Sequence, residues 1–165
     1  MSINNHKNKE LLESTVSRLN TAGFVINLVI PALILFFGFV LRSQVYESPD
    51  FGDETLNMLL WVLSGVSILE VVVAFFLKRK MFTNIARYFP VDSDVKVQIT
   101  LISKMMIIIH VVAATPVLYG LLYYLLGGSM EGFLIMVIIN LVGYQLCRFR
   151  KSDFEKLQSQ MIKND

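Results

Sequence analysis

The chain has 165 residues, of which 55% are hydrophobic and 17% charged, with a net charge of +2 and a mean hydropathy of +0.59. That balance excludes an ordinary soluble domain, in which about a quarter of residues are charged, and it is too weakly basic to support nucleic-acid binding. A single cysteine, Cys147, excludes an internal disulfide framework and a thiolate zinc cluster.

The charges sit in blocks between long uncharged runs, and the runs set the architecture. Residues 1–22 are polar, with Lys7, Lys9 and Arg18. Leu11, Thr15 and Leu19, with Leu12 and Val16 beside them, recur at helical spacing, which predicts an amphipathic segment at a membrane surface. The first span is expected over 23–41. Its apolar run is too long for a signal-peptide core and no cleavage pattern follows, so it reads as an uncleaved anchor. Pro31 lies inside it, and membrane helices tolerate such a residue when neighbours satisfy the freed carbonyl.

Residues 42–55 form an acidic loop, with Pro49 and Gly52 marking a turn and Asp53 expected to cap the next helix. The second span, 56–77, carries Trp61 near its outer end, Glu70 inside it, and Lys78-Arg79-Lys80 at its close. In the link that follows, Met81, Phe82, Ile85, Tyr88 and Phe89 are expected to lay an aromatic face on the membrane surface. Pro90 ends that segment, and Asp92 or Ser93 caps a helix starting near Val95. The third span, 105–126, contains no acid, Lys or Arg, but holds His110 and Pro116. It is long enough for a hydrocarbon core of about 30 Å. Gly127-Gly128-Ser129 turns the chain directly into the fourth span, 130–147. Residues 148–165 are charged, with Phe154, Leu157 and Met161 on one helical face.

The fold expected is therefore all-α, a four-transmembrane-helix bundle made of two consecutive hairpins. Fourteen of the fifteen Lys and Arg fall in the tails and in or beside the central link; Arg42 is the exception. By the positive-inside rule both termini are expected in the cytoplasm, in a bacterial inner membrane.

Each span contributes one hydrogen-bonding side chain at a similar depth. Asn27 lies nine residues past Arg18, Glu70 eight before Lys78, His110 six past Lys104 and Asn140 eight before Arg148. At 1.5 Å per residue these are roughly 9 to 14 Å from their basic anchors. A charged residue facing lipid costs about 2.5–3.5 kcal/mol on insertion scales, so Glu70 is expected to face the bundle. Ser67 and Ala74, on its face, would let another helix approach. The expected site is a Glu70–His110 pair flanked by Asn27 and Asn140, either a proton-responsive pair or a set of groups that only lock the helices in register. Tyr119, Tyr123 and Tyr124 read as an aromatic belt, and Cys147 as an inert interfacial thiol. No cofactor, metal site or catalytic motif is expected.

The run Ala113-Ala114-Thr115-Pro116-Val117-Leu118-Tyr119-Gly120-Leu121 is similar, over a short stretch, to the ion-carrying helix of rotary ATPase proteolipids. Ala114 stands where that family places its carboxylate, so ion translocation is not carried over. The layout as a whole resembles small bacterial four-helix integral membrane proteins, which implies a fold and no activity. The function expected is a non-enzymatic accessory or assembly subunit, with the bilayer and other membrane subunits or further copies as partners. The alternative is a small proton-coupled transporter or channel using Glu70 and His110.

Overall fold

A computed structural model describes residues 2–44, 51–83, 95–150, 152, 153 and 155. The described residues form helices α1 (Ser2–Phe24), α2 (Ile30–Gln44), α3 (Asp53–Thr83), α4 (Val95–Leu125) and α5 (Met130–Cys147), with a five-residue π segment, Val25–Val29, joining α1 to α2. Among the described residues four stretches are long and apolar enough to cross a membrane: Glu13–Gln44, Asp53–Thr83, Val97–Leu125 and Met130–Cys147. In such stretches the backbone can satisfy its polar groups only within the helix. The 31 residues of α3 and of α4 run about 46 Å, longer than the roughly 30 Å of a bilayer core. The Asp92 or Ser93 cap, the aromatic face at Ile85, Tyr88 and Phe89, the turn at Pro49 and the C-terminal face of Phe154, Leu157 and Met161 lie outside the described residues.

The helices α4 and α5 pair tightly, and α2 and α3 pack into the grooves of that hairpin from opposite sides. Gly38 of α2 lies against Leu121 and Phe133, while Gly143 of α5 lies against Val71 of α3 and the Ala113 carbonyl of α4. In their most apolar windows the first and second spans are 17% buried, against 39% and 33% for the third and fourth. The first two spans therefore turn most of their surface outward, with Phe36, Phe37, Trp61, Leu69 and Phe76 all exposed.

The α4–α5 turn follows from its sequence. Gly127 adopts φ 105°, which glycine reaches without strain. Gly128 N donates to Tyr123 O at 3.0 Å and Gly127 N to Tyr124 O at 3.3 Å, a Schellman close. Ser129 then starts α5, its hydroxyl accepting from Gly132 N at 3.1 Å.

Among the described residues, buried side chains form two clusters. One gathers Leu19, Ala74, Met81, Phe82, Met106, Cys147 and Phe149 among others; the second holds Val117, Tyr124 and Phe133. Two expectations are corrected here. Met81 and Phe82 do not lie on a surface: α3 continues through them, and Phe82 packs edge-on to Phe149 with ring centroids 5.5 Å apart. Asp53 is the first helical residue of α3, with Gly52 O taking the first helical bonds from Thr55 N and Leu56 N. Its carboxylate thus stands in the first turn beside Glu54, where the helix dipole favours acids.

Candidate functional site

Asn27, Asn140 and His110 come together inside the bundle, with 0%, 0% and 1% of their surface exposed. The meeting begins with Pro31. Having no N–H, Pro31 cannot donate to the Asn27 carbonyl four residues earlier. The chain widens there into the π turn, where Ile30 N donates to Val25 O, and Asn140 Nδ2 crosses from α5 to donate to Asn27 O at 2.9 Å. The freed carbonyl is thus satisfied by a neighbouring helix. Asn27 Nδ2 donates to Gly23 O at 3.0 Å and stands 3.3 Å from His110 Nδ1. The Gly23 bond fixes which end of the amide is nitrogen, so Nδ1 of His110 accepts and Nε2 carries the ring proton. The ring lies over Gly23, where a Cβ would come within 2.7 Å of Nε2. Asn27 Oδ1, Asn140 Oδ1 and His110 Nε2 are buried and have no hydrogen-bond partner among the described residues.

Glu70 does not join this group, which corrects the expected Glu70–His110 pair. Its carboxyl oxygens meet Tyr119 Oη at 2.7 Å and Thr115 Oγ1 at 2.5 Å on α4. The reason is angular. At 3.6 residues per turn, the five residues from His110 to Thr115 rotate α4 by about 140°. His110 therefore faces the π segment and the end of α1, while Thr115 and Tyr119, one turn apart, face α3. Ser67 and Ala74 are fully buried, as their spacing from Glu70 suggested, and Ser67 Oγ lies 3.6 Å from Met136 Sδ of α5. Glu70 itself is half-buried at the edge of the α3–α4 groove.

Among the described residues two cations close helix ends, where the sequence offered Lys78 only as a basic stop and Arg42 only as the exception to the charge asymmetry. Arg42 Nη1 donates to Tyr124 O at 3.1 Å and to Gly128 O, and Nη2 donates to Gly127 O at 3.2 Å. Its guanidinium also lies 4.3 Å from the Tyr124 ring centroid. The carbonyls at the end of α4 thereby gain donors and a favourable charge. Lys78 is buried; its Nζ donates to Arg148 O at 2.6 Å, past the end of α5, and pairs with Asp153 Oδ2 at 2.9 Å. Asp153 Oδ2 also accepts from Arg150 N at 3.0 Å. The signal available was position: each is a cation near the end of its own helix, level with the C-terminus of a neighbouring span.

The tyrosines do not form a belt. Tyr123 and Tyr124 are 4% and 8% exposed; the Tyr123 hydroxyl accepts from Ser129 N at 3.3 Å, and Tyr119 serves Glu70. Cys147 is buried at 0% exposure. Among the described residues no group of three or more His, Cys, Asp and Glu could hold a metal ion. An open crevice of about 600 Å³ lies between α1 and α5, walled by Phe24 and by Tyr144, whose ring centre is 6.0 Å from that of His110. Compared with known protein families, with curated proteins and with solved structures, the chain matches none.

Proposed function

We propose that this chain is a small multi-pass membrane protein acting as a non-enzymatic accessory or assembly subunit, alone in several copies or with other membrane proteins. Both termini and the link between α3 and α4 face the cytoplasm in this reading, and the membrane is a bacterial inner membrane. What supports the reading is how the polar groups within and at the ends of the spans are used. Asn140 ties α5 to the π segment, Arg42 ties α2 to the end of α4, Lys78 ties α3 to the end of α5, and Glu70 ties α3 to Tyr119 and Thr115. Polar side chains deployed as fasteners make a rigid, apolar-sided unit that presents α2 and α3 to its surroundings. The orientation is supported by the placement of all Lys and Arg but Arg42.

Purification from native membranes in a mild detergent tests the assembly reading. The expected result is migration as a complex of fixed stoichiometry, and recovery solely as a free monomer would refute it. Orientation is tested separately by impermeant thiol labelling of Ser43→Cys and Ser152→Cys in a Cys147→Ser background. Both positions are exposed. Ser43→Cys should label from outside the cell and Ser152→Cys only from the cytoplasmic side; the reverse pattern would overturn the orientation, and labelling of both from one side would overturn the topology.

A further inference from the structure

Thr115 has a single hydroxyl hydrogen, yet its Oγ1 lies within bonding distance of two oxygens. These are the Val112 carbonyl at 2.7 Å and Glu70 Oε2 at 2.5 Å. The other carboxyl oxygen, Oε1, accepts from Tyr119 Oη at 2.7 Å. The hydrogens can be counted for each state of Glu70. If the carboxyl is ionised, Tyr119 and Thr115 both donate to it and the Val112 carbonyl loses the hydroxyl. The donor that an α-helix would give that carbonyl belongs to the residue four positions on, and that residue is Pro116, which has no N–H. If the carboxyl is protonated on Oε2, it donates to Thr115, Thr115 donates to Val112 O, and Tyr119 donates to Oε1. Every hydrogen then has an acceptor, and the carbonyl at the proline is not stranded.

The surroundings favour the same state. Lys78 is bound to Asp153 and Arg148 O, Arg42 to the carbonyls ending α4, and His110 faces Asn27. From α5, the side of α3 next to Glu70 receives Met136 at Ser67 and Gly143 at Val71, neither of them titratable. Leu69 and Val73, beside Glu70 on α3, are exposed and in a bilayer meet hydrocarbon, where an uncompensated charge is expensive.

We propose that Glu70 is a proton-binding site within the membrane, held as the neutral carboxylic acid by the one-way chain Glu70 to Thr115 to Val112 carbonyl that Pro116 creates. Loss of the proton reverses the Thr115 hydroxyl and strands the carbonyl, so proton occupancy is linked to the backbone of α4 at its proline. The proposal goes beyond the assembly reading and does not rest on it.

Infrared spectroscopy of the full chain in lipid at neutral pH, in H₂O and D₂O, tests it. The wild-type spectrum should show a protonated-carboxyl carbonyl band that shifts on deuteration and is lost in Glu70→Gln. That variant keeps a donor toward Thr115 and an acceptor toward Tyr119, so it retains the fold. The band should stay in Thr115→Ser, which keeps the relay, and be displaced or lost in Thr115→Val. If Glu70→Gln removes carboxylate bands instead, the proposal is overturned. A band unmoved in Thr115→Val overturns the relay, and where that variant does not fold, a band displaced in Thr115→Ser does so.

Discussion

If Asn140 serves to replace the donor that Pro31 withholds, then the value of Asn140 depends on residue 31. In the native chain, Asn140→Val removes the 2.9 Å bond to Asn27 O and leaves a fully buried carbonyl without it. In a soluble core such an orphan costs about 1–3 kcal/mol. Interhelical bonds in membranes average about 0.6 and reach about 1.7 kcal/mol, because the unfolded state in lipid also finds partners. For a chain in a bilayer, as proposed above, the second scale is the relevant one, and Asn140→Val should cost about 0.6–1.7 kcal/mol through this bond. Pro31→Ala restores a backbone N–H four residues beyond Asn27. In that background the carbonyl has its own donor, and Asn140→Val should lose most of this penalty. The change of volume at position 140, from Asn to the slightly larger Val, is present in both backgrounds and cancels in the cycle. Reversible unfolding of the four variants in mixed micelles measures the coupling. Equal costs of Asn140→Val with and without Pro31 would refute the reasoning, because they would show the bond to be indifferent to the proline.

The other predictions test the fasteners and the packing. Breaking a buried ion pair by removing one member costs about 3–5 kcal/mol, so Lys78→Met should destabilise strongly. Adding Asp153→Asn should restore part of the loss, and strict additivity in unfolding experiments would argue against the 2.9 Å pair. Arg42→Gln should speed amide hydrogen exchange at the end of α4 and through Gly127 and Gly128, with exchange elsewhere unchanged. Gly120→Ala should cost about 1–3 kcal/mol by overpacking, because its Cβ would fall 2.8 Å from Met136 Cβ and 2.6 Å from the Phe133 ring. Gly65→Ala is the control: nothing lies within 4 Å of its Cβ position, and a helical alanine there should stabilise by about 0.4–1 kcal/mol. Equal thermal shifts for the two glycine variants would contradict the packing described.

The spans were legible because a run without charges has few alternatives to a helix in lipid. Depth was legible too: Asn27, His110 and Asn140 were placed at one level by counting from basic anchors, and they meet in the bundle. Direction around the helix axis was not. Glu70 shares that level but faces Thr115 and Tyr119, because which side of α4 it meets depends on how α3 seats in the α4–α5 groove. The same limit explains Tyr123 and Tyr124, whose position near a span end suits an interfacial belt although their azimuth turns them inward. Arg42 and Lys78 look in sequence like solvated stops. Their carbonyl partners become visible only once the ends of neighbouring helices are set side by side.

Pro31 and Pro116 also explain why the polar residues fall where they do. Each proline withholds a donor from the carbonyl four residues before it, Asn27 in one case and Val112 in the other, and inside a bilayer no water can stand in. The two vacated acceptors are served differently. Asn27 O is filled from another helix by an amide that has no competing acceptor assigned to that hydrogen, so the bond acts as a fixed tie between α5 and the π segment. Val112 O is filled from its own helix by a hydroxyl that also touches Glu70. A hydroxyl rotates at little cost and can serve either oxygen, so this acceptor depends on what the carboxyl does with its proton. The two carbonyls pose the same chemical problem. One solution locks helices together, and the other leaves α4 responsive at the point where it meets α3.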